Sequence, residues 1–248
     1  MRLLILGGTT EASALARSIA DRPEIEAMLS FAGRTRNPVP PPIPFRVGGF
    51  GGVEGLKAYL AEHRTEAVID ATHPFAAQMS RNAAAACGDM GLPLAVFTRP
   101  AWQPRKGDRW TRVPDVAASV EALGQPARTV FLTVGSLQLA AYARAPQHRY
   151  IVRSIDPPAA IGALPSHRLL LARGPFSVED ETALMREEHV DVLVTKNSGG
   201  AATEAKLEAA RALGIEVIVV ERPAREDVPT FESIDRVIAW IGDHRAAP

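Results

Sequence analysis

Cysteine is nearly missing from this chain: one of 248 residues, Cys87, carries a thiol, so no internal disulfide can form. Cys87 lies in the Ala-rich stretch Asn82–Gly88 and reads as a small core residue in a reducing cytoplasm. No run of 18 apolar residues exists, so no membrane span is expected. The first apolar run is a few residues long and stops at Gly7-Gly8, which argues against a secretory leader. An excess of either charge is missing as well. The 28 basic and 28 acidic residues cancel, which argues against a nucleic-acid partner held by phosphate neutralisation. The six histidines show no metal-ligand spacing, so no metal is expected. Lysine is scarce too, at Lys57, Lys106, Lys196 and Lys206 among the 28 basic residues. The nucleotide composition of the source genome explains that bias, and so does a use of planar arginine forks on carboxylates or phosphates.

What is present is an ordinary globular composition, 46% apolar and 23% charged, at a length that suits one large α/β domain or two small ones. Apolar strand-like runs stand at Leu3–Leu6, Ala27–Ala32, Phe45–Val47, Ala67–Asp70 and Leu94–Thr98, with helical patterns at Thr10–Ala20, Val53–His63 and Ala76–Met90. The five-proline stretch Asn37–Pro44 reads as an extended loop. Residues 100–113, polar and broken by Pro and Gly, read as an inter-domain connection. A second series follows, with strands at Thr129–Val134, Tyr150–Ser154, Leu169–Ala172, Val192–Thr195 and Val217–Val220. Its helices are expected at Val116–Leu123, Leu137–Ala143, Val178–His189, Ala202–Leu213 and Ile234–Ile241. Short apolar strands alternating with helices predict an α/β fold: two Rossmann-like lobes, 1–100 and 101–248, with mostly parallel sheets of about five strands each and a ligand crevice between them.

The residues with chemistry fall at the predicted strand ends. Gly7-Gly8-Thr9-Thr10-Glu11 follows the first strand and opens a helix, where backbone and helix N–H groups receive a phosphate. The spacing departs from Gly-x-Gly-x-x-Gly, and a turn that holds nothing is the other reading. Gly33-Arg34-Thr35-Arg36 follows the second strand, where the adenosine ribose would sit. An acidic residue there suits NAD; two arginines and a hydroxyl suit a 2′-phosphate and hence NADPH, against the alternative of a solvated basic loop. Gly48-Gly49-Phe50-Gly51-Gly52 is either a loop lying against the cofactor, through Gly49, or a plain flexible turn. At Asp70-Ala71-Thr72-His73-Pro74-Phe75-Ala76, Thr72 could serve a ribose or nicotinamide amide. His73 could donate a proton or act as a structural hydrogen-bonder. In the second half Gly135-Ser136, Arg153, Arg173, Lys196-Asn197-Ser198-Gly199-Gly200 and Arg222 all end strands. Taken together, they imply a ligand with several carboxylates or phosphates.

In that order, Gly7-Gly8-Thr9-Thr10-Glu11, Asp70-Ala71-Thr72-His73-Pro74-Phe75-Ala76, Arg173-Gly174-Pro175-Phe176, Lys196-Asn197-Ser198-Gly199-Gly200 and Val217–Val220 with Arg222-Pro223 closely resemble the precorrin-6A reductases of cobalamin biosynthesis. The resemblance spans essentially the whole chain. It implies a cytoplasmic oxidoreductase with an NADPH-binding lobe over 1–100 and a second lobe over 101–248 contributing the tetrapyrrole site. The reaction implied is reduction of C18=C19 of precorrin-6A to precorrin-6B, with hydride to C19 and a proton to C18. The roles implied are pyrophosphate at Gly7, Gly8, Thr9, Thr10 and Glu11, 2′-phosphate at Arg34, Thr35 and Arg36, and the nicotinamide end at Thr72 and His73. Substrate carboxylates would fall to Ser136, Arg153, Arg173, Lys196, Asn197, Ser198 and Gly199, with His73 and Lys196 as candidate catalytic groups. A transient hand-over to neighbouring pathway enzymes is compatible with this. A short-chain dehydrogenase is a weaker reading, because no Tyr-x-x-x-Lys pair exists. A non-catalytic dinucleotide sensor would leave the basic second half without a purpose.

Overall fold

A computed structural model describes residues 1–33 and 40–245, so the expectation at Arg34, Thr35 and Arg36 lies outside the described residues. The chain divides into two compact units, Met1–Pro100 with the segment from Ala224 onward, and Ala101–Pro223.

The first unit is a six-stranded parallel sheet. Its strands are β1 (Arg2–Leu6), β2 (Glu26–Phe31), β3 (Phe45–Val47), β4 (Ala67–Asp70) and β5 (Leu94–Phe97), with the late β12 (Thr230–Phe231) on the edge. The order is β12-β5-β4-β1-β2-β3. Alternation along β1 sends Leu3 and Ile5 to one face and Leu4 and Leu6 to the other, as a sheet covered on both sides requires. Leu3 and Ile5 pack under α1 (Thr10–Ile19) and the terminal α7 (Ile234–Asp243). Leu4 and Leu6 pack under α2 (Val53–Glu62) and α3 (Ala77–Met90). Cys87 sits in that second layer, where burial pushes its thiol up to about 12. This is the inert core residue expected.

The second unit repeats the plan. Its strands are β6 (Trp110–Val113), β7 (Thr129–Thr133), β8 (Arg149–Ser154), β9 (His167–Leu171), β10 (Val192–Lys196) and β11 (Glu216–Val220), in the order β6-β11-β10-β7-β8-β9, all parallel. Its helices are α4 (Val116–Ala122), α5 (Val178–Glu187) and α6 (Ala205–Leu213). Phe131, Ile151, Leu193 and Val217 form one core with Met185 of α5 and Leu207 of α6.

Three expectations need correction. The second unit does not run to the C-terminus. The segment from Ala224 onward returns to the first unit, where β12 extends its sheet beside β5 and Val237, Trp240 and Ile241 join its core. Residues 100–113 are not only a connection, since Trp110–Val113 pairs with Val217–Val220 as an edge strand. Its exposed Thr111 and Arg112 hide the strand pattern. The expected helix at Leu137–Ala143 is instead a 3-10 helix over Ser136–Arg144. Each sheet thus has six strands rather than five, the sixth being β12 from the returning segment in the first unit and β6 from the start of the run in the second.

Candidate functional site

In both sheets the strand order reverses beside a central strand. In the first unit this switch lies between β1 and β4, and in the second between β7 and β10. Loops leaving such a pair of strands diverge to opposite faces and open a space at the carboxyl edge. Gly7–Glu11 and Ala71–Ala76 leave one pair; Val134–Gln138 and Asn197–Gly200 leave the other.

In the first unit Gly7 donates its N–H to Ser30 O at 2.9 Å. A Cβ at Gly7 would stand 2.5 Å from Leu29 Cδ1, so any larger residue would have to displace the end of that buried side chain. Gly8 has φ 114°, in the region that favours glycine, and open space where a Cβ would stand. Thr9 caps α1. Its Oγ1 accepts from Ala12 N–H at 3.1 Å and donates to Ala71 O at 2.7 Å, tying together the two loops of the switch. Its hydroxyl therefore serves the protein, and any contact with a ligand falls to its backbone. Glu11, in the first turn of α1, accepts from Arg99 Nη1 at 2.7 Å and from the Thr10 hydroxyl at 3.1 Å. Arg99 was invisible in the sequence, because it stands beyond the end of β5 with no motif and meets a partner 88 residues away.

The loop after β4 is organised by Asp70, a buried carboxylate. Its Oδ1 accepts from Thr72 N–H at 3.0 Å and from the Thr72 hydroxyl at 2.6 Å, and its Oδ2 accepts from the Ser80 hydroxyl at 2.5 Å. Three donors offset the cost of burying the charge. They also fix the Thr72 hydroxyl as a donor inward, leaving its lone pairs to accept. In the sequence Asp70 reads as a strand end; its role as anchor needs the fold. His73 Nδ1 accepts from Phe75 N–H at 3.2 Å, which puts the ring proton of the neutral imidazole on Nε2.

Gly49 belongs to a loop held by Arg46 of β3. The guanidinium donates to Ser30 Oγ at 2.8 Å, to Gly48 O at 2.9 Å and to Gly49 O at 3.2 Å, and lies 4.2 Å from the Phe50 ring centroid. The glycine loop is therefore braced against the end of β2 rather than left as a free turn.

In the second unit Lys196, the last residue of β10, donates from Nζ to Gln138 Oε1 at 3.1 Å, reaching over the turn at Gly135. Ser136 is exposed at the start of the 3-10 helix. Ser198 and Gly199 follow in a turn whose carbonyls are gathered by Arg222. Its Nε donates to Asn197 O at 2.9 Å and its Nη2 to Ser198 O at 3.0 Å. Arg222 thus shapes the loop. Arg173 is exposed in the loop after β9.

Two expected ligand contacts are corrected here. The Asn197 side chain is buried and spent on the protein: Oδ1 accepts from Trp102 N–H at 2.8 Å, and Nδ2 donates to Trp102 O at 3.3 Å and toward Glu221 Oε2 at 3.4 Å. It anchors Trp102, whose indole N–H reaches Gly200 O at 3.2 Å. Arg153 is also internal. Its side chain is 8% exposed, is ion-paired with the buried Glu181 of α5, and lies 3.8 Å from the Phe176 ring centroid. A strand-end position in the sequence could not distinguish an arginine facing a ligand from one turned under a helix.

The sequence matches the family described as Precorrin-6x reductase CbiJ/CobK over residues 2–242. It is 51% identical to the precorrin-6A reductase of Rhodobacter capsulatus over 247 residues, covering 100% of this chain and 98% of that protein. It is 44% identical to the precorrin-6A reductase of Mycobacterium tuberculosis strain H37Rv, covering 97% of each. A solved structure titled CobK precorrin-6A reductase superposes with a TM-score of 0.93 at 51% identity, covering 100% of this chain and 98% of that one.

Proposed function

This chain belongs to the family of precorrin-6x reductases and is a reductase of precorrin-6A in cobalamin biosynthesis, and we propose that its reductant is NADPH and that it reduces C18=C19 of the macrocycle to give precorrin-6B. The observation that carries the cofactor reading is the turn after β1, where Gly8 at φ 114° leaves open space beside the first turn of α1. These residues fit a dinucleotide: the backbone can approach a pyrophosphate, and the helix N-terminus attracts it. Glu11 would oppose an anion there, and the Arg99 guanidinium at 2.7 Å balances that carboxylate. NADPH, when bound, supplies hydride to C19.

The chain's own residues hold and exclude. Gly8, Thr9, Thr10 and Glu11 receive the pyrophosphate through backbone N–H groups, and Gly7, whose own N–H goes to Ser30 O, holds the turn against β2 so that the pyrophosphate can lie along it. Arg34, Thr35 and Arg36 take the 2′-phosphate, and Gly49 lies against the adenosine half. Thr72 accepts from the nicotinamide carboxamide with the lone pairs Asp70 leaves available. Ser136, Arg173, Lys196, Ser198 and Gly199 hold the acetate and propionate arms. The proton that reaches C18 comes from water, from the Lys196 ammonium or from His73. Positioning alone accounts for much of the acceleration.

Two measurements test these assignments together. NADPH should bind more tightly than NADH, and the double variant Arg34→Ala, Arg36→Ala should erase the difference. Equal affinity in the unaltered protein would refute the 2′-phosphate site. Lys196→Ala should raise the precorrin-6A KM about tenfold or more, as loss of a charged hydrogen bond does, with NADPH affinity unchanged. The reverse pattern would move Lys196 to the cofactor side.

A further inference from the structure

Leu137, Ile155 and Leu171 are exposed by 68%, 49% and 54%, whereas most large apolar side chains of this unit are buried. A single exposed leucine needs no explanation. These three follow or close three neighbouring strands at the carboxyl edge: Leu137 in the first turn of the 3-10 helix after β7, Ile155 immediately after β8, and Leu171 as the last residue of β9. The register runs Leu132 opposite Val152 and Ser154 opposite Leu171, so the strand ends are level. With neighbouring strands about 4.8 Å apart, the ends of β7, β8 and β9 span on the order of 10 Å. This is the edge at which a parallel α/β sheet takes its ligands. Cations flank the row at both ends, Lys196 at the end of β10 on the far side of β7, and Arg173 two residues beyond Leu171.

A ligand complementary to that pattern is flat and apolar in the middle and anionic at its rim. We propose that Leu137, Ile155 and Leu171 are the platform on which one face of the tetrapyrrole ring lies, with Lys196 and Arg173 receiving carboxylate arms at either side. The inference rests on the substrate reading above and extends it from the arms to the ring. The aliphatic row supplies affinity for the ring face without regard to which arms it bears. The flanking cations set the orientation, which decides which bond of the ring is presented.

The test is steady-state kinetics with precorrin-6A on Leu137→Ser and Leu171→Ser, singly and together, beside the conservative Leu171→Met. Exposed positions tolerate these changes without loss of fold. Each serine variant should raise KM about three- to tenfold, the expected effect of exposing an aliphatic contact. The double variant should raise it further. The conservative Met variant and the NADPH dissociation constant should stay near the unaltered values, and kcat should change less than KM. Unchanged KM in the double variant would overturn the platform. So would a change confined to the oligomeric state by sedimentation, which would make the row a contact between copies of this chain. If the unaltered protein does not turn over precorrin-6A, the substrate reading itself fails; if it does and the variants match it, only the platform fails.

Discussion

At the scale of single residues, position at a strand end and availability to a ligand are different properties. Lys196 and Arg153 both close or nearly close a parallel strand, and periodicity treats them alike. Lys196 emerges over the loop at the switch between β7 and β10, while Arg153 turns under α5 to meet Glu181. The difference lies in a carboxylate 28 residues away that no local pattern announces. Asn197 shows the same limit, since its place in a ligand-like turn conceals a bond to Trp102. The Arg153–Glu181 pair gives a prediction that separates the two roles. Both side chains are nearly buried, at 8% and 2% exposure, so removing one partner strands the other charge. Arg153→Ala should lower the unfolding free energy by about 3–5 kcal/mol in urea titrations. Replacing both by Met and Leu should recover most of it. Unaltered stability with a raised precorrin-6A KM would return Arg153 to the substrate.

Among elements, the strongly periodic ones were legible and the weak ones were not. The central strands β1, β4, β7 and β10 are continuous apolar runs, and their loops carry the glycine, hydroxyl and lysine residues of the site. The edge strands carry little signal. Thr230–Phe231 is two residues long, and Trp110–Val113 shows water two of its four side chains. The amphipathic pattern of α7 predicts a helix; no pattern says which sheet its Val237, Trp240 and Ile241 will cover. Ending the chain after Pro223 removes both β12 and α7 and uncovers one face of the first sheet. Such a truncation should lose protection of β1 and β5 amides in hydrogen exchange while those of β7 and β10 persist. Equal loss in both units, or none, would contradict the assignment of this segment to the first unit.

For the molecule as a whole, five strands of each sheet share the order 3-2-1-4-5, with the reversal beside the central strands β1 and β7; the sixth strand, next to the fifth, is the late β12 in the first unit and the early β6 in the second. That recurrence explains why two segments without sequence repetition present comparable loops: Thr9 spans one reversal to Ala71, and Lys196 spans the other to Gln138. The family likeness was legible because Asp70–Ala76 and Lys196–Gly200 are contiguous motifs, each shaping its own loop through bonds such as Asp70 to Thr72 and Asn197 to Trp102. Arg99 escaped because its partner Glu11 is 88 residues away; Asp70 and Arg46 have near partners, but those face them only once the loops after β4 and β3 have folded. The proposed transfer of hydride from NADPH to C19 of precorrin-6A can be followed atom by atom. Incubating the protein with precorrin-6A and NADPH deuterated at the transferring position tests it directly. The account predicts loss of nicotinamide absorbance, a gain of two hydrogens in the macrocycle, one of them deuterium, and that deuterium at C19. Folded protein that leaves NADPH unoxidised, or deuterium at any other carbon, would contradict it.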